Sequence, residues 1–441
     1  MQEILFIIAA ACLVLVWKSW QRQREDRSNI SRVQQNEREQ IKAPPSLHPL
    51  IDLDRCIGCG SCVNACPEHG VLGLIQMRAV LLQPDHCVGH GKCETACPMG
   101  AISLVLGTSD NGVEIPVTNE NFQTRVPGVY IAGELGGIGL IRNSILQGIQ
   151  CIDAIAANRT HSSAEHDVII VGCGPAGLGA TLQAATKRLR YLTLEQYDVG
   201  GTILNFPKRK LVMTAPVNLP GYGKIQFRDI LKEDLLAEWY RIVQKTGVKI
   251  KTRCRVEKIL RRPEGLLEVM TTSGKYTASN VILALGRGGT PRKLGVPGEE
   301  LPRVSYRLQD PDEFRGRKCL VVGGGDSAIE CALMLAEAGA KVSFSYRQKS
   351  FGRAKPRNRQ RIEEAISKRV IKAYLPSNVK EIRPEGVRLE SEGREFAIPN
   401  DDVIIMAGGV LPVDFLKDIG IEMRTLRGEP LPRALKGSTA N

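Results

Sequence analysis

Three kinds of hydrophobic patterning divide this chain. The first is a run of fourteen apolar residues, Ile4 to Trp17, followed by Lys18, Arg22, Arg24 and Arg27. A spanning helix takes about 17–25 residues. Met1 and Gln2 at one end, and Trp17 and Trp20 at the other, extend the run into the interface. Glu3 precedes it and Lys-Ser-Trp follows, so neither the basic start nor the small-x-small site of a cleaved signal peptide is present. The pattern predicts a single uncleaved membrane anchor over 1–20, with an interfacial or core helix as the alternative. The basic flank on its C-terminal side keeps the remaining domains in the cytoplasm. Residues 18–42 are rich in Gln, Arg and Glu with almost no apolar periodicity, and Ala43 to Pro49 carries three prolines. Residues 21–49 read as a polar stalk and a stiff linker.

The second pattern is a short apolar run that empties into a glycine-rich loop, and it occurs twice. His166 to Val171 reads as a strand and leads into Gly172-Cys-Gly174-Pro-Ala-Gly177. A helical pattern follows from Leu178 to Lys187, then a strand from Tyr191 to Leu194 that ends at Glu195. Cys319 to Val322 is the second such strand, leading into Gly323-Gly-Gly325-Asp-Ser-Ala328. A helix and the strand Val342 to Tyr346 follow, and this one ends in Arg347. Strand, loop, helix and strand together make the dinucleotide fingerprint. The glycines permit a tight turn and close approach of a pyrophosphate, and the helix N-terminus offers free N–H groups to it.

The third pattern is a cysteine block. It reads Cys56-x2-Cys59-x2-Cys62-x3-Cys66-Pro67, then Cys87-x2-His90-x2-Cys93-x3-Cys97-Pro98. The chain has 13 cysteines, seven of them in this block. An odd total with tight local spacing argues for metal ligation rather than a secreted disulfide framework. The isolated Cys151, Cys173, Cys254, Cys319 and Cys331 lie in apolar or strand contexts and read as packing residues. His69 reads as ordinary surface.

Composition narrows the classes. With 441 residues, 43% hydrophobic and 24% charged, the chain can bury two or three domain cores and is neither disordered nor polytopic. The 44 glycines against 5% aromatics suit nucleotide-binding α/β folds. The net charge of +13 is uneven: between Lys341 and Lys372, eleven Lys/Arg face two acids. Such a surface favours an acidic protein partner, an anionic cofactor or a lipid surface. No nucleic-acid module is legible, so nucleic acid is not expected.

The cysteine block resembles the two-cluster bacterial ferredoxins, whose halves are an internal repeat. In that family three ligands of each motif hold one [4Fe–4S] cluster and the fourth Cys serves the other. The resemblance implies Cys56, Cys59, Cys62 and Cys97 on one cluster. It implies Cys87, Cys93 and Cys66 on the second, together with whatever His90 does. Two readings stay open for His90: a ligand of a second cubane, or an idle neighbour of a [3Fe–4S] cluster.

The first fingerprint has an extended match. It includes Gly200-Gly201-Thr202 with Asn205-Phe206-Pro207, then Val281 to Gly286, Leu294 to Glu300 and Val304-Ser305-Tyr306. This resembles the thioredoxin-reductase-like flavoproteins and implies FAD, with Glu195 on the adenosine ribose. The second fingerprint is the nicotinamide domain by resemblance. Arg347, with Lys349 and Arg353 behind it, favours the 2′-phosphate of NADPH over NADH. For Arg357, Arg359 and Arg361 a solvated helix face is the expectation.

Two departures matter. The family normally ends with a segment reading like Val126 to Glu134, which contains Gly133 and covers the flavin's ribityl chain. Here that segment and a helix from about Asn143 to Ala157 precede the fingerprint, so the resemblance implies a circularly permuted flavin domain. Glu134 stands where the family has Asp. Secondly, the family's Cys-x-x-Cys is replaced by Arg307-Leu-Gln-Asp310, and no Cys-x-x-Cys exists outside the ferredoxin block. Ferredoxin–NADP reductases and bacillithiol-disulfide-reductase-like proteins of this fold also lack the pair.

The predicted fold is therefore α/β, with two Rossmann-like domains of thioredoxin-reductase type, a small α+β ferredoxin domain and an N-terminal membrane helix. The expected boundaries are 50–108 for the ferredoxin, 113–160 for the permuted lobe, 165–295 for the FAD domain and 300–410 for the NAD(P) domain. Residues 411–441 return to the FAD domain and end as a tail. The expected function is electron transfer between NAD(P)H, FAD and the clusters to an unknown redox protein, an acidic one suiting the basic surface, with no acid–base residue required. Relatives of this fold are commonly homodimers. A small-disulfide reductase and a non-catalytic redox sensor or assembly subunit are the alternatives.

Overall fold

The computed structural model describes residues 2–38, 46–110, 112–137, 139–159, 163–287, 290–352 and 354–430. It divides into two compact units, Met1–Gly112 with Arg427–Leu431, and Val113–Leu426.

The first unit opens on one continuous helix, Gln2–Arg38. The segment expected to be a featureless stalk is helical because Gln, Arg and Glu are strong helix formers even without an apolar stripe. Asn29 and Asn36, two turns apart on one face, donate side-chain N–H groups to the Leu74 and Leu82 carbonyls at 2.9 and 2.7 Å. The expectation of a membrane anchor, and of a cytoplasmic face defined by it, is corrected here. Among the described residues no helix is long and apolar enough to cross a membrane. Fourteen apolar residues rise only about 21 Å as a helix, short of a hydrocarbon core of about 30 Å.

Beyond the helix, His48–Ile51 pairs antiparallel with Ile102–Leu106, and Leu72–Ile75 pairs with Arg78–Leu81. The short helices Ser61–Ala65 and Lys92–Thr95 lie inside the two halves of the cysteine repeat and carry Cys62 and Cys93. Glu429–Pro430 adds a third strand to Ile102–Leu106. The expectation for 411–441 was a return to the flavin domain followed by a tail, and Glu429–Pro430 lies in the part expected as tail. The chain leaves the flavin domain at Arg427 because the strand Ile102–Leu106 otherwise presents an unpaired edge.

The second unit has two lobes. In the first, a seven-stranded sheet runs Ile250–Lys251, Tyr191–Leu194, His166–Val171, Gly274–Leu283, Leu267–Thr271 and Val256–Arg261. The strand Val129–Ile131 pairs in parallel with Val281–Leu283 of this sheet. Helix Ile141–Ala157 lies against helix Pro175–Thr186, and the approach is close. A Cβ on Gly148 would stand 2.0 Å from the Ala176 carbonyl oxygen. The second lobe is a five-stranded parallel sheet in the order Val304–Ser305, Asp402–Ile405, Lys318–Val322, Lys341–Ser345, Ile371–Tyr374. An antiparallel triplet, Asn378–Arg383, Gly386–Ser391 and Arg394–Pro399, packs beside it. Thr290–Pro291 and Gly409–Val410, paired antiparallel, join the lobes.

Candidate functional site

In the first unit the eight predicted ligands sort into two small hollows. One is lined by Cys56, Cys59, Cys62 and Cys97, with Ile57, Leu74, Ala79 and Ile102 around them. The other is lined by Cys66, Cys87, His90 and Cys93, with Val71, Leu72 and Leu104. The fourth cysteine of each motif thus faces the opposite hollow. The loops that achieve this turn on glycines in the left-handed region. At Gly58, φ is +68° and a Cβ would lie 2.1 Å from the Met77 carbonyl oxygen. Two backbone N–H groups point at thiol sulfurs, Ala79 at Cys56 (3.4 Å) and Ala101 at Cys97 (3.2 Å). Four thiols on apolar walls with N–H donors to sulfur are a donor set that suits a cubane cluster.

The second hollow differs. His90 Nε2 stands 3.8 Å from Glu68 Oε1, and both residues line the hollow. Burial pushes its Cys66 and Cys87 thiols up and that of Cys93 up to about 12, and it also raises Cys62 in the first hollow. Cys59, fully exposed, is pulled down by its hydrogen bonds with Ser61. Metal binding at the buried thiols therefore displaces protons.

In the first lobe of the second unit, Gly133, Glu134, Gly172, Gly174, Glu195, Gly201 and Asn205 all line one cleft of about 410 Å³. Gly177 sits behind it. A Cβ there would be 1.8 Å from the Gly172 carbonyl oxygen, so the helix can start against the loop only without a side chain. Glu195 is buried, and both its carboxylate oxygens are held, accepting from Cys173 N at 2.7 Å and Tyr197 N at 2.9 Å. Gly133 N donates to Gln147 Oε1 at 2.8 Å, which ties the strand Val129–Ile131 to the helix Ile141–Ala157. Burial pushes the Glu134 carboxyl up, opposed by the charge and backbone N–H of Arg287. A cleft with a glycine-floored loop and a pinned acid fits a dinucleotide.

Cleft residues that the pattern did not single out for this site include Lys210, Arg307, Glu330 and Lys355, the last three from the second lobe. Their one sequence signal was negative: Arg307 and Asp310 stand where the resembling reductases have cysteines.

In the second lobe, Gly323 has φ +147° and a Cβ on it would meet the Met406 carbonyl oxygen at 2.4 Å. Gly325 caps the helix Asp326–Glu337, Ala328 is buried in its first turn, and Arg347 is exposed beyond the strand Lys341–Ser345. Arg353 lies outside the described residues. The isolated Cys151, Cys173, Cys254, Cys319 and Cys331 are all buried, and burial raises Cys151, Cys173, Cys319 and Cys331. They are packing residues, as the pattern implied.

Residues 169–439 match the pyridine nucleotide-disulphide oxidoreductase family, and residues 48–98 match the 4Fe-4S dicluster domain. The ferredoxin–NADP reductase of Ignicoccus hospitalis is 31% identical over 265 residues, covering 58% of this chain and 82% of its own. The bacilliredoxin reductase Bdr of Bacillus subtilis is 26% identical, with 60% and 84% covered. Among solved structures, the bacillithiol disulfide reductase Bdr of Bacillus cereus superposes with a TM-score of 0.54 at 27% identity, covering 58% of this chain and 82% of that one. The chain belongs to the pyridine nucleotide-disulphide oxidoreductases. Within them it is an FAD-dependent NAD(P)H oxidoreductase of ferredoxin–NADP-reductase type, and its added ferredoxin domain brings iron–sulfur clusters.

Proposed function

We propose that this protein passes electrons between NAD(P)H and an external redox protein by way of the flavin and its own clusters. The observation that carries the reading is the four-and-four sorting of the predicted ligands into two hollows. Cys56, Cys59, Cys62 and Cys97 hold one [4Fe–4S] cluster. Cys66, Cys87 and Cys93 hold the second, with His90 as its fourth ligand. FAD lies in the cleft of the first lobe, with Glu195 on its ribose. NADPH lies on the Gly323–Ala328 loop, with Arg347 toward its 2′-phosphate. When bound, the flavin supplies the exchange between a two-electron hydride and single electrons, and the clusters carry single electrons. The chain's own work is to bind, orient and exclude water.

The domain limits follow the same reading, with Val113–Leu426 as a permuted flavoprotein. Its support is that Val129–Ile131, although N-terminal to the fingerprint, lies beside Gly274–Leu283 in the flavin sheet. The external partner is a redox protein, acidic where it meets the basic surface, and the protein acts as a homodimer. The likeness to Bdr proteins favours a second reading, direct reduction of a low-molecular-weight disulfide.

An anaerobic NADPH titration separates them, with flavin absorbance and cluster EPR recorded together. Reduced-cluster signals that rise as the flavin bleaches support the cluster route. A flavin that bleaches with both clusters oxidised, and reoxidises on adding the disulfide, overturns it in favour of the second reading. In the same experiment His90→Cys lowers the second cluster's potential if His90 is a ligand, because thiolate restores a negative charge.

A further inference from the structure

Two cations in the flavin cleft, Arg307 and Lys355, come from the nicotinamide lobe, and the first is held by the flavin lobe itself. Arg307 follows the strand Val304–Ser305 of the nicotinamide sheet, yet it lines the cleft of the flavin lobe. Its Nη1 donates to Asn205 Oδ1 at 2.6 Å, and its guanidinium stands 5.7 Å from the centre of the Tyr197 ring. Among the described residues no carboxylate pairs with it. A guanidinium has five N–H donors and never deprotonates, so one amide oxygen leaves most of its capacity unused.

The segment that carries Arg307 is fastened to the flavin lobe. Lys208 N donates to the Gln309 carbonyl at 2.9 Å, and Lys208 Nζ pairs with Asp310 Oδ2 at 2.8 Å. Lys210 Nζ pairs with Glu330 Oε2 at 2.7 Å, on the helix behind the nicotinamide loop. Three consecutive features of one flavin-lobe loop, Asn205, Lys208 and Lys210, thus grip the other lobe.

We propose that Arg307 is a flavin-binding residue lent by the nicotinamide lobe, and that the Lys208–Asp310 and Lys210–Glu330 pairs dock it there. FAD affinity and lobe docking then form one linked equilibrium. The segment that carries a redox cysteine pair in thioredoxin reductases serves here as an anion-facing clamp. FAD is the ligand class, because Arg307 lines the same cleft as the Gly172–Ala176 loop and FAD carries the anionic diphosphate that a spare guanidinium pairs with. The inference rests on the reading of that cleft as the FAD site.

The test is FAD binding to the deflavinated full chain, followed by flavin fluorescence. Arg307→Gln raises Kd about tenfold, the loss of one charge-assisted contact. Arg307→Lys recovers part of that loss, since the charge remains. Lys208→Gln, which touches no cleft atom, raises Kd severalfold at low salt. In the Arg307→Gln background it changes nothing further. An unchanged Kd for Arg307→Gln overturns the inference while leaving the FAD reading intact. Equal effects of Lys208→Gln in both backgrounds overturn the docking half. A wild-type chain that takes up no FAD overturns the reading of the cleft itself.

Discussion

The two dinucleotide lobes share one fingerprint and close it differently. In the flavin lobe the third glycine, Gly177, is sealed: an added Cβ would stand 1.8 Å from a backbone oxygen. The acid that ends its second strand, Glu195, is buried and held at both oxygens. In the nicotinamide lobe the third position is Ala328, a Cβ on Gly325 would meet nothing within 4 Å, and Arg347 is exposed. The first glycine of each loop is sealed alike, with an added Cβ 2.5 Å from the Ala284 carbonyl oxygen at Gly172 and 2.4 Å from that of Met406 at Gly323, and the second, Gly174 or Gly325, is free of close backbone contact in both. The lobes part at the third position, where the first has room for no side chain and the second holds a methyl. The same glycine pattern, read against different neighbours, thus sets how closely the helix starts against its loop.

The largest effect expected from this contrast is at Gly177. Gly177→Ala drives a methyl into backbone that cannot move without breaking the turn, at a cost of about 3 kcal/mol or more. The variant is expected to lose FAD and to express poorly. FAD-loaded Gly177→Ala melting with the wild type would sink the comparison. Next comes Glu195→Gln, which turns one of the two backbone-held oxygens into a donor facing an N–H. A loss of about 1.5–3 kcal/mol is expected at that buried pair. It should appear as a faster FAD off-rate in stopped-flow dilution. Smaller again is Arg347→Glu. The residue is exposed, so the melting temperature should hold, while the ratio of kcat/KM for NADPH over NADH falls about tenfold, one lost charge contact. An unchanged ratio would move the 2′-phosphate site elsewhere.

Much of this was legible beforehand. The strands His166–Val171 and Tyr191–Leu194 form as the alternation of apolar run and glycine loop indicated. Seven of the eight residues assigned from the flavin match line one cleft, with Gly177 just behind it, and the cysteines and His90 meet in two hollows. Each cysteine motif and each glycine loop is a local pattern, whereas the meeting of Cys97 with Cys56, and of Gly133 and Glu134 with Glu195, was legible only through the family resemblance. What escaped was set by docking between distant segments. Arg307 and Lys355 reach the flavin cleft only because the lobes lie as they do, and a two-residue strand such as Glu429–Pro430 has no pattern to detect. The N-terminal helix was misjudged for two separate reasons. Its polar half has no hydrophobic period, although Asn29 and Asn36 recur at a helical spacing. Its apolar half is long enough to suggest a span yet too short to make one.

The smallest effect expected is at Gly325, and it sharpens the comparison most. Gly325 has φ −93° and ψ 175°, an extended conformation open to any residue, and a Cβ has free space. Gly325→Ala should therefore move stability by no more than about 1 kcal/mol in either direction, because the restricted unfolded chain is offset by a poorer N-cap. The free space is where a phosphate would approach the loop, so the methyl should raise KM for the nicotinamide while kcat holds. The same chemical change thus has opposite outcomes at two fingerprint glycines. One is required by the protein's own backbone, and the other by a ligand. If Gly325→Ala instead unfolds the lobe, the open loop is not open in solution. If it leaves KM untouched, the nicotinamide phosphates do not approach this loop, and the second glycine has no role for a ligand to require.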